Sequence, residues 1–212
     1  MSRSEFSAYV FLMAVFVAAL VTANVLAGKI IVVAGLFVPA GVLAYSITFA
    51  ATDAINEIWG RKRSQLLVNA GFLVLLMVWA LNALAIALPA APFWEGQEAF
   101  DTVLSTTNRI IVAGLIAYAV SQSLDIWIFD RLKEMFRSRH LWLRNNVSTL
   151  LSQTVDTCVF ITIAFYGEFP LLPLIVGQLS VKYVIALLDT PVVYGIVAVV
   201  RMRLGENAPA AG

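Results

Sequence analysis

Apolar residues gather in six long runs with few polar interruptions, roughly 6–28, 34–59, 65–89, 108–130, 146–168 and 171–200. A helix rising 1.5 Å per residue needs about 20 such residues to cross a hydrocarbon core about 30 Å thick. Each run therefore predicts a membrane-spanning helix. The third is the purest, broken only by Gln65, Asn69 and Asn82. The last is too long for a perpendicular span and predicts a tilt, a kink or an extension past the bilayer. No run alternates with the period of two of an outer-membrane barrel strand. The first run exceeds the apolar core of a signal peptide and is followed by five more, so it reads as a span. The pattern predicts an all-α polytopic membrane protein, one six-helix domain over residues 1–212.

The basic residues orient it. Arg3 precedes the first span, and Arg61, Lys62 and Arg63 separate the second from the third. Arg131, Lys133, Arg137, Arg139 and Arg144 lie between the fourth and fifth, and Arg201 and Arg203 follow the sixth. Threading six helices puts all of these on one side, opposite Lys29, Glu95, Glu98, Asp101, Arg109 and Glu168. The positive-inside rule makes that side, and both termini, cytoplasmic; five or seven spans would strand a basic cluster outside. The outer segment from Pro89 to Thr107 carries Phe93, Trp94 and Phe100 beside three acids, which predicts an interfacial, partly amphipathic stretch. The short basic loop 131–144 reads as an orienting and lipid-headgroup segment, and His140 within it as a surface residue.

Composition agrees. The chain is 61% hydrophobic and 13% charged, with mean hydropathy +0.89. Soluble domains carry about 25% charged residues, so an ordinary soluble or disordered chain is excluded. The net charge of +1 implies no nucleic-acid partner. The single cysteine, Cys158, lies in an apolar run and reads as a structural thiol.

Charged groups nevertheless persist at membrane depth: Asp53, Glu57, Asp125, Asp156, Lys182 and Asp189. Each costs about 2.5–3.5 kcal/mol on insertion scales, so they must pair, reach an interface or face a cavity. Asp53, Asn56 and Glu57 share one helical face. Spans four and five repeat one another: Ser121-Gln122-Ser123-Leu124-Asp125 with Phe129 matches Ser152-Gln153-Thr154-Val155-Asp156 with Phe160. In both, an amide and a carboxylate three residues apart share a face. Gln122 and Gln153 each lie about 13 Å from the inner basic boundary, Asp53 about 12 Å and Asp189 about 18 Å, at 1.5 Å per residue. Carboxylates and amides from several helices thus reach similar depth, the geometry of one polar cavity. Asn24 and Lys182 fall nearer the outer side and either line an entrance or are brought deeper by a kink. Interhelical hydrogen bonds average only about 0.6 kcal/mol in membrane bundles, too little to offset so many buried charges. A substrate or ion pathway explains them better than packing does.

Enzyme chemistry is poorly supported. The only histidine is in a loop, which leaves no buried Ser–His pair. Metal and haem sites need more His or Cys ligands than exist. No glycine-rich phosphate loop is present, so the chain cannot by itself power transport with ATP. No cofactor is implied.

The polar positions fall in short motifs. They are Ala23-Asn24-Val25-Leu26-Ala27-Gly28-Lys29, Asp53-Ala54-Ile55-Asn56-Glu57 with Gly60, and Ser121-Gln122 with Asp125. Leu141-Trp142-Leu143-Arg144-Asn145-Asn146 with Ser148-Thr149 follows, then Ser152-Gln153 with Asp156-Thr157. Ala164-Phe165, Lys182, and Thr190-Pro191 with Tyr194 complete the set. In order and spacing, from about residue 9 to 200, they resemble the queuosine precursor transporter family, also called the vitamin uptake transporter family. The resemblance implies a six-helix inner-membrane importer of 7-cyano-7-deazaguanine and its aminomethyl relative. It also implies a helical arrangement similar to the substrate-binding subunits of energy-coupling-factor transporters. Its partners would be the small base and the lipid bilayer, a homodimer being open.

The candidate substrate-binding residues are Asn24, Asp53, Glu57, Gln122, Asp125, Asn146, Thr149, Gln153, Asp156 and Lys182. A carboxylate accepts two adjacent N–H donors of a guanine-like edge, an amide donates to the ring carbonyl, and an aromatic face stacks on the base. The alternative on the same fold is a binding subunit for a vitamin-like solute that needs a separate energising complex.

Overall fold

The computed structural model describes residues 3–135 and 141–204. Among them are six α-helices and a two-stranded ribbon: α1 Arg3–Leu26, β1 Ile30–Val33, β2 Leu36–Pro39, α2 Gly41–Trp59, α3 Arg61–Ala87, α4 Gln97–Met135, α5 Leu141–Phe165 and α6 Leu171–Leu204. The expected all-α reading therefore needs one correction. The second apolar run does not start a helix at residue 34; residues 30–39 form an antiparallel hairpin, with Val33 opposite Leu36 and Ile30 opposite Pro39. Four β-branched residues at 30–33 favour a strand. Ala34 (φ 51°) and Gly35 (φ 82°) form the two-residue turn, whose positive φ values suit the twist of a hairpin. The ribbon was hidden because its residues are as apolar as a span.

The expected outer loop is also shorter. α4 begins at Gln97, eleven residues before the predicted span at 108, so the second half of the Pro89–Thr107 segment is helical. Phe93 is fully presented to its surroundings at 88% exposure. Trp94 and Phe100 meet edge-on with centroids 5.6 Å apart.

α1, α3 and the Gln97–Leu124 part of α4 are long and apolar enough to cross a membrane; Leu150–Phe165, Leu171–Ile185 and Pro191–Met202 are shorter apolar helical stretches. α3 exposes Leu66, Leu73, Met77, Leu81 and Leu84 along its length. A helix that is apolar on its outward side is stable only against lipid or another apolar surface. Its polar breaks are used: Gln65 donates to Asn69, and Asn82 donates to Asn108 of α4. α6 carries Pro191 inside the helix, a position that removes one backbone donor.

Close approach between helices rests on small residues. Ala19 and Ala23 line one buried face of α1, and Ala27, just past its end, is buried beside them. Gly41 at the start of α2 packs there so tightly that an added Cβ would overlap the Ala23 carbonyl. Two apolar clusters result. One joins Leu12, Phe16 and Leu20 to Ala54, Ile55, Leu67, Leu75 and Val197. The other joins Ala27 to Ile110, Ala113, Ile161, Phe165 and Leu174 near the ribbon.

Candidate functional site

A cavity of about 350 Å³ lies where the two clusters meet, and all six helices contribute to its wall. Of the α2 residues in the wall, Tyr45, Thr48, Phe49 and Thr52 recur at three- and four-residue spacing, one stripe of a helix. α5 adds Ser152, Gln153, Asp156 and Phe160, and α6 adds Gln178, Lys182 and Ile185 by the same periodicity. Phe16, Phe72 and Tyr118 complete an aromatic lining. The Phe72 and Tyr118 rings sit 4.6 Å apart at 57°.

The charged centre is Asp156. Lys182 Nζ donates to its Oδ2 at 2.8 Å and to Thr157 Oγ1 at 3.1 Å. Ser121 Oγ lies 3.3 Å from Asp156 Oδ1 and 3.1 Å from the Tyr118 carbonyl, so its one proton is shared between two acceptors. Thr157 is wholly buried and donates to the Gln153 carbonyl at 3.0 Å. Both carboxylate oxygens are thus held, yet each retains a lone pair for a further donor.

Other wall groups spend their donors locally. Thr48 donates to Tyr45 O and Thr52 to Thr48 O, both at 2.6 Å. Asn24 Nδ2 donates to Leu20 O at 2.8 Å, which leaves Asn24 presenting a carbonyl acceptor. The rim is therefore rich in acceptors, a surface suited to a ligand rich in N–H.

Of the ten candidate residues, Asn24, Gln122, Gln153, Asp156 and Lys182 line this one cavity. The serine–glutamine repeat of spans four and five is realised in space: Ser121 and Ser152 are both buried, both glutamines reach the wall, and Ser121 bridges to Asp156. Asn24 and Lys182 join the others and do not form a separate entrance. Asp53 and Glu57 share a face with Asn56, as their spacing implies, but that face is exposed and is not part of the wall. Glu57 lies 3.6 Å from Arg201 instead. The side chains of Asp125, Asn146, Thr149 and Asp189, and all of His140, lie outside the described residues.

Among the wall residues that the sequence pattern did not single out are Tyr45, Phe72, Tyr118 and Gln178. The aromatics look like any others in an apolar run. Gln178 was detectable, since it stands one helical turn before Lys182 on the same face.

A family model described as a putative vitamin uptake transporter matches residues 39–196. The chain is 32% identical over 181 residues to a protein of Bacillus subtilis (strain 168) named probable queuosine precursor transporter, covering 83% of this chain and 79% of that one. It is 30% identical over 126 residues to the queuosine precursor transporter of Escherichia coli (strain K12), covering 59% of this chain and 54% of the relative. A probable queuosine precursor transporter of Haemophilus influenzae (strain ATCC 51907 / DSM 11121 / KW20 / Rd) is 28% identical over 126 residues, 59% of this chain and 51% of its own. No solved structure matches the chain. With a family match across most of the length and a relative aligned over most of both chains, the protein belongs to the putative vitamin uptake transporter family, a family of transporters and not of enzymes.

Proposed function

We propose that this chain is an inner-membrane importer of 7-deazaguanine queuosine precursors, 7-cyano-7-deazaguanine and its aminomethyl relative, and that it crosses the bilayer six times with both termini cytoplasmic. The observation that carries the substrate is the cavity: aromatic walls around a carboxylate and amides, at about 350 Å³. That volume is near the small end of ligand pockets and suits one fused bicyclic base. Asp156 receives two adjacent N–H donors of the guanine edge, Gln122 or Gln153 donates to the ring carbonyl, and Tyr118, Phe72 and Phe160 supply faces for stacking. The names of the relatives support the same class of cargo.

Three contacts support the topology. Tyr9 near the start of α1 donates to the Arg63 carbonyl at the start of α3. Arg201 near the end of α6 pairs with Glu57 near the end of α2. Tyr9 also packs edge-on against Trp59 with centroids 5.5 Å apart. The start of α1, the α2–α3 junction and the end of α6 therefore share one basic end, the cytoplasmic one by the positive-inside rule.

The test is a competition assay on the purified chain with 7-cyano-7-deazaguanine, guanine, hypoxanthine, adenine and unrelated vitamins. Deazaguanines should compete best. Hypoxanthine lacks the exocyclic amine and should leave the carboxylate under-satisfied, a defect that polar sites reject by large factors. Equal competition by adenine removes the guanine-edge reading. Uptake into vesicles holding this chain alone distinguishes an importer from a binding subunit that needs an energising complex.

A further inference from the structure

We propose that Gln178 reads the edge of the cargo that carries the pyrrole N–H, and thereby admits the free base while rejecting forms substituted at that nitrogen, such as nucleosides. The inference rests on the cavity holding a 7-deazaguanine and names the residue that sets specificity within it.

Gln178 lies on the cavity wall on α6 and is 9% exposed. Its carbonyl oxygen has no hydrogen-bond partner among the described residues. The contrast with its neighbours is sharp. Asn24, Thr48 and Thr52 satisfy their donors on their own helices, and Asp156, Lys182 and Ser121 satisfy one another. A buried amide left unpaired is destabilising, and a ligand offering one donor beside one acceptor relieves it.

The amide is also held in place. Gly177, next to it, packs against the Phe37 backbone so closely that a Cβ would overlap the Phe37 carbonyl. α6 is therefore seated on β2 at this level, which orients Gln178 before any ligand arrives.

The chemistry of a 7-deazaguanine divides between the two groups. A carboxylate accepts two donors, and the edge with adjacent donors is the ring N–H beside the exocyclic amine. That edge belongs to Asp156. A carboxamide offers one acceptor and one donor. The edge left that pairs with it holds the pyrrole N–H beside the neighbouring pyrimidine-ring nitrogen. Gln178 stands four residues, about 6 Å of helix rise, from Lys182, which marks the level of Asp156. That spacing is comparable to the width of a fused bicyclic ring, and both groups line the one cavity. A sugar or methyl on the pyrrole nitrogen removes the donor and inserts bulk against a buried amide.

The test uses the full chain in lipid nanodiscs and three probes: 7-cyano-7-deazaguanine, its pyrrole-N-methyl analogue and its nucleoside. The parent should prefer the free base over the methyl analogue by about ten- to a hundredfold, the effect of losing a buried hydrogen bond. Gln178→Leu and the nearly isosteric Gln178→Met should weaken free-base binding by a similar factor and shrink that preference to within about threefold. Without ligand, both variants should melt no lower than the parent, since they remove an unpaired buried group. Asp156→Asn, by contrast, should weaken the base and its methyl analogue alike. A parent that binds the base while both variants keep the full preference overturns the role of Gln178. Variants that melt lower with the preference intact do the same, by showing a structural amide. A parent that binds none of the three probes overturns the deazaguanine reading itself.

Discussion

Lys182 donates to Asp156 at 2.8 Å across the contact between α6 and α5. The pair neutralises two charges that would each be costly at membrane depth. It also points the carboxylate into the cavity, with lone pairs to spare.

Removing the lysine should expose that dependence. The two side chains are 12% and 22% exposed, so the pair is partly wetted by its cavity. Lys182→Met should therefore destabilise the protein by about 1–3 kcal/mol, less than the ~3–5 kcal/mol for a fully buried pair. Adding Asp156→Asn should recover much of the loss, because the unpaired acid is then gone. Thermal melts of the parent, both single variants and the double variant measure the coupling. Strictly additive losses would remove the ion pair as a stabilising unit.

Asp156→Asn alone addresses binding. The amide keeps the shape of the carboxylate but replaces one acceptor with a donor, which faces an N–H of the cargo. Affinity for 7-cyano-7-deazaguanine should fall by about 1–3 kcal/mol, the scale for a hydrogen bond to a charged group. A titration of folded variant and parent reads this directly, and unchanged affinity would move the base elsewhere in the cavity.

The helices were legible from the chain because long apolar runs with few breaks favour helix, and length and apolarity are properties of the sequence alone. The shared cavity was legible where charge at depth demanded a partner, as for Asp156 and Lys182. Two kinds of feature were not. The ribbon at 30–39 is as apolar as a span, so only its Ala34-Gly35 turn and β-branched residues distinguish it. Counting residues assigns Asp53 and Glu57 a depth, but depth does not decide which way a helix is rotated. Their face is opposite Ala54, Ile55 and Ile58, which are buried in the core. The stripe at Tyr45, Thr48, Phe49 and Thr52 took the cavity instead. Rotation is set by packing against neighbours, chiefly the close α1–α2 approach at Gly41.

Arg109 should act as a clamp at the ribbon end. Its Nε donates to Ile163 O at 2.8 Å, and its Nη2 to Tyr166 O and Nη1 to Glu168 Oε1, each at 2.6 Å. It thereby satisfies terminal carbonyls of α5 and adds positive charge at that helix's negative end. Gly167, at φ 87°, forms the turn it holds. Arg109→Leu should cost about 1.5–3 kcal/mol by thermal melt. Arg109→Lys should recover little, because an ammonium cannot reproduce a planar fork with three separate acceptors. Full recovery by lysine would reduce the clamp to simple charge.

The topology is checked by single cysteines in a Cys158→Ser background. Glu98 near the start of α4 and Lys62 at the start of α3 are both exposed. A membrane-impermeant thiol reagent applied to intact cells should label the Glu98→Cys protein and spare the Lys62→Cys protein. Arg61, Lys62 and Arg63 open α3 at its positive dipole end, where cations are disfavoured. On the proposed topology, retention of positive charge on the cytoplasmic side accounts for a placement that helix stability alone opposes. Equal labelling from outside would discard the six-span orientation.

Two glycines of α6 provide the sharpest contrast. At Gly177 an added Cβ would overlap the Phe37 carbonyl, and at Gly195 nothing lies within 4 Å. The same substitution should therefore act in opposite directions on one helix. Gly177→Ala must push β2 away from α6, and overpacking of this kind costs about 1–3 kcal/mol. Because Pro39 and Gly41 at the ribbon's end also line the cavity, the displacement should reach the site and weaken ligand binding along with stability. Gly195→Ala meets only open space and replaces the residue with the most backbone freedom to lose. It should be neutral or stabilising, by up to about 1 kcal/mol, with affinity unchanged. Melting temperatures and ligand titrations of the two variants, made side by side, decide the matter. A Gly177→Ala protein as stable and as tightly binding as the parent would show that the ribbon does not depend on its seat against α6.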